Sequence, residues 1–289
     1  METVAFYSYK GGVGRSMLLA SAARYLATAG KGVVALDFDF EAPGLHYKFV
    51  GEWETTGGAV PYLNATAEGT ASPPPLDGHM ISVAAPNAAG GWIRLMPAGP
   101  APHQSYWTAL KHLGDRLRLT DLSGRGFMAL LDLQARIADE LKPDYLLIDA
   151  RTGVTELGGL ATTVLADTVV CMFVANSESL DGTLAVVEAL KSTPRLANQK
   201  PIRVVPVLSR TTAKPSQDER FAFGVIRLLE LGEGSRGQGP NATVLFALPH
   251  DDALGTFERP LRIGWDSDSR LYRAYIELFQ SLFPDSAPI

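Results

Sequence analysis

Six short stretches of the chain are nearly continuous in Val, Ile, Leu and Phe: Thr3–Ser8, Val33–Asp37, Tyr145–Asp149, Thr168–Val174, Ile202–Leu208 and Thr243–Leu248. Alternating apolar and polar residues would mark strands with one wet face. Unbroken apolar runs mark strands covered on both faces, the pattern of a parallel sheet. Helical periodicity fills the gaps at Ser16–Ala29, Phe127–Leu141, Leu180–Lys191 and Gln217–Leu231, and Ser269–Phe283 closes the chain. Strand and helix in alternation predict an α/β fold, a doubly wound and mostly parallel sheet with helices on both faces.

Two stretches break the rhythm. From about Gly51 to Arg125 the composition shifts to Ala, Gly and Pro, with Pro73-Pro74-Pro75 and Gly90-Gly91 as breakers and short strand candidates only at Met80–Ala84 and Ile93–Met96. This reads as an elaborated surface insertion within a single domain spanning residues 1–289, not as a second domain. Leu231–Asn241 is rich in glycine and reads as a flexible loop.

Composition narrows the class without deciding the function. Of 289 residues, 46% are hydrophobic and 20% charged, which excludes disordered and collagenous chains. The single cysteine, Cys171, sits in an apolar run where packing is its expected role. A net charge of −5 argues against a broad basic face, so no strong nucleic-acid binding is expected. No window has the roughly 18 apolar residues of a membrane span. The N-terminus lacks a basic stretch followed by an apolar one, so a cytoplasmic protein is expected. The C-terminal amphipathic stretch carries only Arg270 and Arg273 as basic residues. It is expected to pack on the sheet rather than anchor the chain to a membrane.

The chemistry is concentrated right after the first strand, in Lys10-Gly11-Gly12-Val13-Gly14-Arg15-Ser16-Met17, which leads straight into a helix. Glycines let backbone N–H groups turn inward, and a helix N-terminus adds positive potential, so this loop suits phosphate oxygens. The dinucleotide pattern G-x-G-x-x-G fails at Met17. The ordinary Walker A pattern fails at Tyr9, where its first glycine belongs, and at Arg15, where its lysine belongs. What remains is a phosphate loop with an early lysine.

That loop resembles the deviant Walker A motif, K-G-G-x-G-K-[ST], of the ParA/MinD family of P-loop ATPases, in a variant branch with arginine at the second basic position. Further segments resemble the family in order. Asp37-Phe38-Asp39 is similar to its switch I, and Tyr145–Asp149 to its Walker B strand, which runs into Ala150-Arg151-Thr152-Gly153 where switch II belongs. Ser209-Arg210 and Pro249-His250-Asp251 are similar to the segments that flank the adenine. The resemblance implies ATP as substrate with Mg²⁺, bound by Gly11, Gly12, Val13, Gly14, Arg15, Ser16 and Met17. Ser16, Asp39 and Asp149 are implied at the metal. Asp39 would orient the attacking water, and Lys10 would reach across a homodimer to the partner's nucleotide. Asp37 has an alternative reading as a helix cap or turn former. Arg151 is a candidate γ-phosphate sensor or partner contact.

Arginine binds phosphate bidentately but cannot occupy the compact position of an ammonium, so slow hydrolysis is expected. The reading is therefore a switch whose nucleotide-dependent dimer is read by an effector protein. Its rivals are a nucleotide-binding scaffold without hydrolysis, a DNA-partitioning motor, which the acidic charge disfavours, and a bacterial-type tyrosine kinase. The kinase is disfavoured because the segment 284–289 holds no tyrosine cluster. His46, His79, His103, His112 and His250 show no metal-ligand spacing, and no G-x-S-x-G elbow occurs.

Overall fold

The computed structural model describes residues 1–49, 57–69, 73–84, 90–193, 200–212, 214, 216–231, 246–251 and 269–286. Its strands are β1 (Glu2–Ser8), β2 (Gly32–Phe38), β3 (Ile81–Val83), β4 (Trp92–Met96), β5 (Tyr145–Ala150), β6 (Thr168–Phe173), β7 (Arg203–Thr211) and β8 (Phe246–Pro249). They form one sheet in the order β3-β4-β2-β5-β1-β6-β7-β8. Strand β3 runs antiparallel to β4, and every other neighbouring pair is parallel.

The apolar runs form strands because both faces of the sheet are covered. Along β1, Val4 and Phe6 enter one core while Ala5 and Tyr7 enter the other. Strand β2 divides in the same way, Val33 and Ala35 against Val34, Leu36 and Phe38. One core is closed by helix α1 (Arg15–Thr28) and by the last helix of the chain. The other is closed largely by helices that follow β2 in sequence.

Those helices correct the reading of residues 51–125 as a surface elaboration. After the short α2 (Leu45–Phe49), this segment forms α3 (Ala59–Ala67) and α4 (Gln104–Asp115), and it supplies β3 and β4 to the sheet edge. Tyr62 of α3 and Tyr106 of α4 are fully buried beside Val34, Phe38 and Ile148 of the central strands. Helix α3 carries Pro61, a residue that reads as a breaker, within the run AVPYLNATA, and α4 is amphipathic but buries only Tyr106 and Leu113. The helix expected at Phe127–Leu141 is α5 (Arg125–Arg136) followed by a π-helical turn at Ile137–Leu141, which Lys142 ends in the left-handed region.

A short α6 (Glu156–Gly159) and a π-helical turn at Leu160–Leu165 lead into β6. Helices α7 (Ser177–Ser192) and α8 (Gln217–Leu231) follow. The loop expected at 231–241 and the first residues of the strand expected at Thr243–Leu248 lie outside the described residues, apart from Leu231, which ends α8. Helix α9 (Arg270–Leu282) buries Leu271, Tyr275, Leu278, Phe279 and Leu282 in the core shared with α1. Its apolar face is thus covered by protein. Among the described residues, no helix is long and apolar enough to cross a membrane.

Register sets up the site. Phe6 lies level with Asp149, and Asp37 lies level with the same Asp149 on its other side. Parallel strands that end level release their following loops side by side at the carboxyl edge, where α/β sheets bind ligands.

Candidate functional site

The loop after β1 turns on two glycines that no other residue could replace without strain, Gly12 at φ +73° and Gly14 at φ +93°. A side chain built at Gly11, Gly12 or Gly14 would meet no atom within 4 Å, so the loop curves around open space. Helix α1 starts immediately afterwards with no side-chain cap and no acidic residue in its first turn. Its leading N–H groups and positive dipole end therefore face the loop uncompensated. The loop is held from behind: the buried Ser209 hydroxyl donates to the Val13 carbonyl at 2.6 Å.

A cleft of about 460 Å³ opens over this loop. Its lining brings together Gly11, Gly12, Val13, Gly14, Arg15, Ser16 and Met17 with Asp39. The same lining includes Ser209 and Arg210 of β7, with Pro249, His250 and Asp251 around the end of β8. These are segments the sequence assigned to one ligand, and the volume falls within the ~300–1,000 Å³ of small-molecule sites. The sequence reading missed Ser8, Ala42, Lys48, Met172, Leu271 and Tyr275, which also line the cleft. Leu271 and Tyr275 come from α9 and carried no signal beyond core periodicity. Thr152, which the resemblance put in the switch II segment, lines the cleft as well.

Lys10 and Asp149 are not part of this lining. The Lys10 ammonium turns outward to Glu178 of α7 at 2.5 Å, a pairing that raises its pKa. Beside it the Tyr9 ring lies so close to α7 that a Cβ on Gly182 would stand 2.3 Å from it. The start of the loop is thereby docked on α7.

Arg15 makes the most consequential contacts. Side chains lean toward the N-terminus of their helix, so a residue in the first turn projects back over the sheet edge. Its Nε donates to Asp149 and its Nη2 donates to Asp39 at 3.0 Å, with Arg15 8% exposed and Asp149 1%. Burial alone would lower the Arg15 pKa. Pairing with Asp149 and Asp39 outweighs it, and the net shift is upward. The Asp39 carboxyl is raised by burial against the opposing pull of Arg15. The sequence placed Arg15 on phosphate, whereas the structure places its charge on two carboxylates. The convergence of positions 15, 39 and 149 is tertiary and had no local signal.

Asp37 takes its alternative reading. It is fully buried and accepts the backbone N–H groups of Asp39 at 3.2 Å, Gly44 at 3.1 Å and Leu45 at 3.1 Å. It shapes the turn into α2, and burial beside Asp149 pushes its carboxyl well above the usual range. Two further contacts fix the loops that follow β2 and β5. Arg151 pairs with Glu41, joining those loops directly, and the Tyr106 hydroxyl donates to the Phe40 carbonyl at 2.6 Å.

Two polar atoms of the cleft's residues are buried without a hydrogen-bond partner among the described residues: Ser8 Oγ and Arg15 Nη1. Orphaned buried groups of this kind are costly, and a bound anion beside them removes that cost. Ser16, Asp39 and Asp149 offer the hard oxygen donors that suit Mg²⁺. Among the described residues, no group of three or more His, Cys, Asp or Glu side chains could hold a metal ion. An ion here would complete its shell with water and phosphate oxygens, as Mg²⁺ commonly does.

A family profile described as the CobQ/CobB/MinD/ParA nucleotide binding domain matches residues 4–229. The chain belongs to this family. Members of this P-loop ATPase family with solved structures share the fold of the chain at low identity. Apo McdA from Cyanothece superposes with a TM-score of 0.65 at 16% identity, covering 98% of this chain and 99% of its own. The septum site-determining protein MinD of Pyrococcus horikoshii, complexed with Mg-ADP, gives 0.62 at 16%, covering 98% and 96%. A plasmid partition protein from Borrelia burgdorferi bound to AMPPNP gives 0.64 at 15%, covering 98% of both chains. No curated protein matches the sequence.

Proposed function

We propose that this CobQ/CobB/MinD/ParA-family chain is a slow ATPase switch that binds ATP with Mg²⁺ in the cleft over Gly11–Met17 and forms a nucleotide-dependent homodimer read by an effector protein. The observation that carries the proposal is the glycine loop itself. It has two left-handed glycines and an uncapped helix start, with two orphaned polar atoms beside it. The bound states of its structural relatives support the choice of ligand, since MinD holds Mg-ADP and the partition protein holds AMPPNP. A complex of MinC with MinD from Aquifex aeolicus supports reading by a second protein.

In this proposal the N–H groups of Gly11–Met17 hold the phosphates, and Arg210 with Pro249, His250 and Asp251 flanks the base. Mg²⁺ supplies charge neutralisation at the phosphates. Ser16 presents its hydroxyl to that ion, Asp149 supports it from the strand end, and Asp39 orients the attacking water. Lys10, turned away from its own cleft, exchanges its surface pair with Glu178 for the partner's nucleotide. The segments joined by Arg151 and Glu41 relay the nucleotide state to the surface. The pairing of Arg15 with both acids favours one rival, binding without hydrolysis, and a multiple-turnover phosphate-release assay separates the two.

Isothermal calorimetry tests the binding. ATP and ADP with Mg²⁺ are expected to bind, and Ser16→Ala to weaken the Mg²⁺-dependent part by about tenfold, the size of one lost charge-assisted contact. Indifference of the wild-type protein to both nucleotides would refute the proposal.

A further inference from the structure

We infer that Arg15 lets the nucleotide bind before the metal: its guanidinium fills the cation position between Asp39 and Asp149, and its spare nitrogen takes a phosphate oxygen with no divalent ion present. The inference rests on the proposed nucleotide site and adds an order of events to it.

The geometry divides the guanidinium into two working edges. Nε and Nη2 are spent on Asp149 and Asp39. Nη1 is buried with no partner among the described residues, as is the hydroxyl of Ser8 in the same cleft. An arginine has enough donors to serve carboxylates and phosphate together, because its planar fork carries five N–H groups. An ammonium is a point charge with no second edge, so a lysine here could not span both acids and a phosphate.

Electrostatics makes the arrangement consequential. A nucleotide approaching two bare carboxylates would meet like charge in a partly dry pocket, where repulsion is stronger than in water. In this chain a fixed cation already stands between those carboxylates. The side chains of Arg15, Asp39 and Asp149 are 9%, 13% and 2% exposed, so solvent screens the pairs little. A divalent ion seeking the same carboxylates must displace two buried ion pairs, whereas a phosphate needs only a small shift of the guanidinium that opens its buried, unclaimed Nη1. Phosphate therefore comes first, and the metal reaches the acids only once the guanidinium has been drawn toward the phosphates.

If Arg15 were only a structural ion pair, its removal would lower stability and leave the metal dependence of binding untouched. Calorimetry with ADP in Mg²⁺ and in EDTA, on the wild-type protein and on Arg15→Gln, separates these cases. Lys48 and Arg210 line the cleft in both proteins and cancel in the comparison. The expected result is a wild-type affinity that falls by less than about fivefold in EDTA, under ~1 kcal/mol of binding free energy. The affinity of Arg15→Gln should fall by more than that. A wild-type loss of fivefold or more, or an Arg15→Gln protein no more metal-dependent than the wild type, would overturn the inference. Circular dichroism reports whether the variant folds; if it does not, the wild-type comparison decides alone. A wild-type protein that binds ADP in neither buffer would remove the nucleotide site itself, and the inference with it.

Discussion

Two aspartates two positions apart at the end of β2 have different work. Asp37 is spent on three backbone N–H groups, while Asp39 is left at the cleft wall against Arg15. Arg15 is the residue on which the proposed chemistry turns. Arg15→Lys is expected to retain nucleotide binding and leave multiple-turnover phosphate release equal or faster, because the compact ammonium releases at least one of the two acids and fits against the β- and γ-phosphates. The same change loosens the buried ion-pair cluster. Breaking such a cluster outright costs about 3–5 kcal/mol, and the lysine, which keeps one contact, should cost less in a denaturant titration. A large fall in turnover would mean that arginine is tuned for the hydrolytic step.

Helix α9 closes one core, and its contribution is measurable. Phe279 is fully buried with its ring 5.2 Å from that of Tyr25 on α1. Phe279→Ala should destabilise the protein by roughly 3–5 kcal/mol, read as a shift of the urea midpoint. The opposite core depends on the segment between β2 and β5, whose contacts include the His79 ring edge-on to Tyr62 at 5.3 Å. Burial lowers the pKa of His79 and of His46 below their ordinary 6.5. Their neutral forms are favoured in the folded state, so the unfolded chain binds more protons at mildly acid pH. Their contribution is therefore complete above about pH 6.5 and is lost as pH falls through the depressed folded values. The raised carboxyls of Asp37 and Asp39 work in the opposite sense over this range, so the mark of His79 is a difference: between pH 7 and pH 5 the melting temperature of His79→Gln should fall less, or rise more, than that of the wild type. An unchanged profile in the variant would show that His79 does not set it.

Legibility in the sequence followed locality. The six apolar runs and the glycine loop are written in consecutive residues, and the doubly wound sheet followed from them. Asp149 was legible because it ends a wholly apolar strand. Helices α3 and α4 were not: Pro61 reads as a breaker inside α3, and α4, flanked by Gly- and Pro-rich segments, sends only Tyr106 and Leu113 into the core. Nor were Glu178 beside Lys10, Glu41 beside Arg151, or the acids around Arg15, because each pairs residues brought together only by the completed sheet.

At the scale of the whole molecule, one edge of the sheet carries everything the proposed switch needs. The cleft, the Arg151–Glu41 link between two loops, and an outward lysine all lie where β1, β2 and β5 end level. Among the described residues Lys10 is held by a surface pair with Glu178 and by the Tyr9 ring, 5.6 Å from its ammonium, and surface contacts of this kind are weak enough to exchange for a better anion. Two nucleotides brought face to face across a two-fold axis would concentrate negative charge, and a lysine from each subunit offsets it. Sedimentation velocity with ATP, ADP, a slowly hydrolysed ATP analogue and no nucleotide tests this account most directly. It predicts a dimer with ATP and the analogue, a monomer otherwise, and a Lys10→Ala variant that still binds ATP in calorimetry yet stays monomeric throughout. A wild-type protein of one size under all four conditions, or a Lys10→Ala variant that dimerises normally, would contradict it.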